Sequence, residues 1–147
     1  MTTATLTRFP PAQLAVIALA AQGLNTAAIA EILDIRFDTV KDRFGHALRA
    51  TGAGDRAGLV GIACRAGQLQ DVPDQARGPV TLTPQTTKVL GGVADGLTNR
   101  AISRRIGRKE STVKSHVAKL LRDLGASDRA HAVLIAWQLR ILPEAGR

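Results

Sequence analysis

GLTNRAISRRIGRKESTVKSHVAKLLRDLG, residues 96–125, is punctuated by glycine at positions 96, 107 and 125. Glycine just past a last turn and a small polar residue just before a first one mark helix ends. The stretch therefore divides into a short helix from about Asn99 to Ile106, capped by Thr98, and a longer one from about Ser111 to Leu124. In the longer helix Val113, Val117, Leu120, Leu121 and Leu124 share one face at the 3.6-residue period. Working outward, Pro84 opens a preceding helix that runs to about Asp95, as proline does at a first turn. Ser127 or Asp128 caps a following helix whose apolar stripe is Ala130, Val133, Leu134, Trp137 and Ile141. Four short helices with a glycine turn between the second and third have the layout of a helix-turn-helix module.

The same pattern occurs earlier in the chain. Slid by 73 residues, 9–64 match 82–137 without a gap, with 20 identities in 56 positions. The pairs include Pro11/Pro84, Val16/Val89, Gly23-Leu24/Gly96-Leu97, Ala28-Ile29/Ala101-Ile102, Thr39-Val40-Lys41/Thr112-Val113-Lys114 and Asp55-Arg56-Ala57/Asp128-Arg129-Ala130. Self-similarity at a fixed offset predicts a tandem repeat. It also disposes of an apparent signal peptide at Leu14–Ala21, because that stretch aligns with the internal segment Thr87–Ala94. The expected fold is all-α: two tandem four-helix helix-turn-helix domains, 1–66 and 81–147, joined by a linker over 67–80. Pro73, Gly78 and Pro79 make that linker read as extended. Its 14 residues reach about 46 Å when stretched, so the units could pack together or sit apart.

Composition narrows the function. The 147 residues carry 20 Lys and Arg against 12 Asp and Glu, a net charge of +8, which points to a polyanionic partner. With no Tyr, one Trp and three Phe, the chain lacks the stacking platforms of single-strand binders, so duplex DNA is the leading polyanion. Cys64 stands alone, which excludes a disulfide framework or a cysteine-based zinc site and suggests a reducing compartment. No apolar run reaches the roughly 18 residues of a membrane span, and no membrane partner is expected. No nucleophile, metal cluster or glycine-rich phosphate loop appears, so an enzyme, a cofactor and a bound metal are not expected.

Leu82-Thr83-Pro84, Gly96-Leu97-Thr98-Asn99, Ala101-Ile102, Ile106-Gly107, Thr112-Val113-Lys114-x-His116, Leu121-x-x-Leu124-Gly125 and Ser127-x-Arg129-x-x-Ala132-Val133 together resemble the LuxR/GerE-type DNA-binding domain. The resemblance spans almost all of 81–142, and 6–66 resemble the same domain more distantly. It implies a bacterial, cytoplasmic and nucleoid-associated transcription regulator whose third helix enters the major groove. It also implies a dimer contact on the fourth helix, for which Val133, Leu134, Trp137 and Ile141 are the candidates. The chain departs from the pattern before the third helix, where the family has an apolar residue and a Ser cap but Arg108 and Lys109 stand here. The first copy keeps Ile35 but has Asp34 in place of the turn glycine and Arg36 at the cap. Asp tolerates the left-handed conformation better than most residues.

Charge separates the copies. Residues 98–122 hold eight cations against Glu110, a net of +7, whereas the aligned 25–49 hold four of each sign. On a wheel of about 100° per residue, the third helix of the second copy presents Ser111, Ser115, Ala118, Lys119 and Arg122 opposite its apolar stripe, flanked by Lys114 and His116. The first copy presents Asp38, Asp42, Gly45, His46 and Arg49 there. Lys114, Ser115, Ala118 and Lys119 are thus the expected base readers, with Lys donating to guanine and the Ala methyl meeting thymine. Asn99, Arg104, Arg105, Arg108, Lys109, Thr112, Arg122 and Arg129 are expected phosphate contacts, which position without encoding sequence. Lys41, Arg43 and Arg49 would serve a second, weaker reader. His116 could read DNA or border the core, while His46 and His131 are expected on the surface. Two other readings remain open: an architectural protein that binds any duplex, and a regulator that works by protein contact through the first copy.

Overall fold

Eight helices account for the ordered architecture of the computed structural model, which describes residues 8–146; the outermost residues of the two expected domains, 1–7 and 147, lie outside it. They are α1 (Pro11–Ala21), α2 (Thr26–Leu33), α3 (Phe37–Thr51), α4 (Arg56–Arg65), α5 (Pro84–Ala94), α6 (Asn99–Ile106), α7 (Glu110–Leu124) and α8 (Arg129–Gln138). Every bound in the first four recurs in the last four at an offset of 73.

The local causes are those the punctuation suggested. Thr83, Thr98 and Asp128 accept hydrogen bonds from the backbone N–H of Thr86, Ala101 and His131, satisfying orphan donors at the starts of α5, α6 and α8. Asn25 and Asp55 do the same for α2 and α4. α1 and the third helices are the exceptions: Pro10, Arg36 and Lys109 occupy their N-cap positions and no side chain caps. At the helix-turn-helix corner Gly107 is left-handed with φ 68°, and Asp34 adopts the same region with φ 55°. The turn thus survives the loss of its glycine.

The two four-helix units close on each other rather than hanging on a free linker. α4 lies against α8, with α1 against α8 and α5 against α4 on either side. The contacts are reciprocal, as around a twofold axis. Gly54 meets the backbone of Gly96, and Ser127, its counterpart at the offset, meets Gly23. Asp55 lies 3.8 Å from Arg129, while the charge of Asp128 acts on Arg56. One continuous core runs through both units and includes Val16, Ile17, Leu59, Val60, Val89, Val93, Ile102, Val133 and Leu134. A second cluster of Leu90, Leu120, Leu124, Ala132 and Ile135 fills the space beneath α7.

The connecting segment 67–80 holds no helix or strand and is packed against the units. Leu69 is buried in the shared core, and Gln68 exchanges two hydrogen bonds with the backbone of Phe9. Gln75 N–H donates to Gln138 Oε1, whose amide in turn donates to Pro73 O. Apolar burial and backbone pairing hold the segment down despite its prolines.

Candidate nucleic-acid interface

Lys114, Ser115, Ala118 and Lys119 all stand exposed on α7, on the side away from buried Val113, Val117, Leu120 and Leu124. Arg104 and Arg105 at the end of α6, Arg108 and Lys109 in the turn, and Arg122 near the end of α7 are exposed as well. Thr112 is half-buried. Two of these cations are already held by carboxylates: Lys119 Nζ lies 2.7 Å from Asp123 Oδ2, and Arg105 Nη1 2.6 Å from Asp95 Oδ2. The Lys119–Asp123 pair is solvent-exposed and worth about 0–1 kcal/mol, so its exchange for a phosphate is inexpensive, whereas Asp95 is largely buried and also holds Arg65. Ser115 Oγ donates to Ser111 O within the helix.

Arg129 and Asn99, expected among the phosphate contacts, are turned to each other instead. Arg129 Nη1 donates to Asn99 Oδ1 at 2.9 Å, its Nη2 donates to Leu97 O, and its Nε approaches Asp55. The planar guanidinium braces the start of α8 against α6 and against the first unit. Its counterpart Arg56 donates to Thr26 Oγ1 at 2.8 Å and lies 3.9 Å from the ring centroid of Phe44. Partial burial draws the Arg56 pKa down.

The histidines divide. His46 is exposed. His116 is half-buried and faces α5, its Nδ1 3.5 Å from Oγ1 of buried Thr86, so it borders the core. His131, expected on the surface, is half-buried at the junction of the units. Its Nδ1 accepts from Ser127 N–H at 3.1 Å, and its Nε2 lies 3.2 Å from Gln75 Oε1, which it can reach only as a donor. That pairing suits the neutral ring, and burial lowers its pKa, with Asp128 opposing and Arg77 assisting. Cys64 is buried and its thiol pKa is pushed up to about 12, which leaves it inert at neutral pH.

The expected dimer face on the fourth helix is spent inside the chain. Val133 and Leu134 are fully buried, and Trp137 packs on the shared core. Ile141 lies past the end of α8 and packs on the second cluster. α4 of the same chain covers this side of α8. Lys41 and Arg49 of the first unit are exposed and Arg43 is half-buried, in the company of exposed Asp38 and Asp42. A signal for this packing was present in Gly54, Gly58 and Gly61, which remove side chains where α4 meets the second unit.

The second unit thus presents an exposed basic helix behind a tight turn, which is the geometry of a helix-turn-helix nucleic-acid-binding module. Residues 80–136 match the luxR family of bacterial regulatory proteins and form a helix-turn-helix DNA-binding domain of that family. The chain is 41% identical over 59 residues to the DNA-binding transcriptional activator DevR/DosR of Mycobacterium tuberculosis, covering 40% of this chain and 27% of that one. It is 33% identical over 106 residues to the transcriptional regulatory protein YdfI of Bacillus subtilis, covering 71% and 50% respectively. It is 40% identical over 60 residues to the nitrate/nitrite response regulator protein NarL of Escherichia coli, covering 41% and 28%. The chain therefore spans about a quarter to a half of these relatives. No solved structure matches it at comparable significance.

Proposed function

We propose that this chain is a sequence-specific duplex-DNA-binding transcription regulator that reads the major groove with α7. The observation that carries the reading is the concentration of net positive charge in one of two units with matching helix bounds, +7 over 98–122 against zero over the aligned 25–49. Lys114, Ser115, Ala118 and Lys119 contact base edges, and Arg104, Arg105, Arg108, Lys109, Thr112 and Arg122 hold phosphates. Residues 8–66 are a degenerate copy of the same domain, and α4 takes the place that a second chain's fourth helix would hold. One chain then acts as a pseudo-dimer with one strong reader, in the cytoplasm and on the nucleoid. It needs no cofactor and performs no catalysis.

Selection of bound duplexes from a random library by the full chain, at about 150 mM salt, tests this reading. Enrichment of one short motif is expected, and Lys114→Ala with Lys119→Ala should weaken binding to it by about tenfold or more. Unchanged affinity would overturn groove reading by α7. Binding without enrichment would favour the architectural alternative.

A further inference from the structure

Ile32 and Phe37 are 58% and 49% exposed, the exposed large apolar side chains among the described residues. They flank one turn, Ile32 near the end of α2 and Phe37 at the start of α3. At the offset of 73 the second unit has Arg105 and Glu110, so the shape of the corner does not require apolar residues. Nor does the packing of the units, because α2 and α3 contact only helices of the first unit.

The charge around the pair is the reverse of a DNA face. Residues 31–42 hold Glu31, Asp34, Asp38 and Asp42 against Arg36 and Lys41, a net of −2; the matching 104–115 carry a net of +4. All four carboxylates are exposed, and none forms a salt bridge with a described residue. Scattered exposed apolar residues are ordinary, but two of them at one corner inside an unpaired acidic rim fit a partner with the complementary pattern. Phosphate would be repelled there and would gain nothing from the apolar centre.

We infer that the α2–α3 corner of the first unit is a protein-docking surface, and that its partner is a protein helix presenting apolar side chains framed by Lys or Arg. Ile32 and Phe37 supply the contact that excludes water, and the carboxylates set orientation and on-rate. The inference rests on the reading above, in which the second unit is the DNA reader, and it leaves that unit free to hold a duplex while the first recruits a protein.

Backbone resonances of the full chain, titrated with a short amphipathic helical peptide of leucine and lysine, provide the test. Shifts should gather on residues 31–42, and a leucine–glutamate peptide of the same pattern should cause none. The double variant Ile32→Arg, Phe37→Glu carries the second unit's residues at exposed positions. It should keep the helical content and duplex affinity of the parent while weakening the lysine peptide by about tenfold. Shifts centred elsewhere, equal binding of the glutamate peptide, or duplex-induced shifts over 31–42 would each overturn the inference. Self-association of the parent that the double variant abolishes would also overturn it, by assigning the corner to a second copy. Failure of the DNA reading shows separately, as indifference of duplex affinity to the Lys114 and Lys119 changes.

Discussion

Arg129 and Arg108 differ in kind, although both stand in the basic second unit. The Arg129 guanidinium is committed to Asn99, Leu97 O and Asp55, whereas Arg108 is exposed in the turn. Hydrogen bonds from a charged donor are worth about 1.5–3 kcal/mol when partly buried. Arg129→Ala should therefore lower unfolding free energy in urea by about 1–3 kcal/mol, and Arg129→Lys should recover little of it because the planar fork is lost. Arg108→Ala should leave stability within about 0.5 kcal/mol and reduce the salt slope of duplex binding by about one. His131 supplies a pH test. Its folded pKa lies below the ordinary value near 6.5, so the unfolded chain binds the proton better. Stability should fall as pH drops through about 6.5 and level off below the folded pKa. The urea midpoint should be lower at pH 5.5 than at 7.5, with a smaller difference in His131→Gln. The sequence showed that these residues were basic or titratable but not where their partners lay. Leu97 O, Asp55 and Gln75 are brought near only by packing of α8 and the connecting segment.

At the scale of the element, punctuation made most bounds legible. Asn99–Ile106 has the bounds read from Thr98 and Gly107, and Pro84 opens α5 as expected. α7 starts at Glu110 rather than Ser111 because its N-cap, Lys109, gives no side-chain signal to read. That cap is a trade between stability and binding. A lysine at the start of a helix leaves the orphan N–H groups uncapped and opposes the helix dipole, but it adds a cation beside the proposed phosphate path. Lys109→Ser should stabilise the chain by about 0.5–2 kcal/mol in urea unfolding. The same change should weaken duplex binding and lower its salt slope by about one. A variant that is more stable with unchanged DNA affinity would show that Lys109 contributes no phosphate contact.

For the whole molecule, the repeat announced two similar units but not their union. Periodicity assigns an apolar face to each helix without saying which chain segment covers it, so the stripe on α8 read slightly better as core, while the family resemblance implied a dimer face. What decides the matter is backbone approach. A Cβ on Gly61 would stand 2.3 Å from Ala94 O, and one on Gly58 would stand 3.0 Å from Gly96 Cα. Glycine in a helix interior costs about 1 kcal/mol relative to alanine, so its presence in α4 is a local loss offset by the packing of α5. Gly61→Leu installs the residue that the second unit has at this offset, Leu134, and improves local helix propensity. If each unit were self-sufficient, it should stabilise the chain. Because α4 and α5 meet there, it should instead destabilise by about 1–3 kcal/mol or more, through forced separation of the units. Urea unfolding followed by Trp137 fluorescence reads both quantities, since Trp137 packs on the core that the two units share. A broadened or biphasic transition is expected in the variant, and a more stable, single transition would mean that the units do not depend on each other.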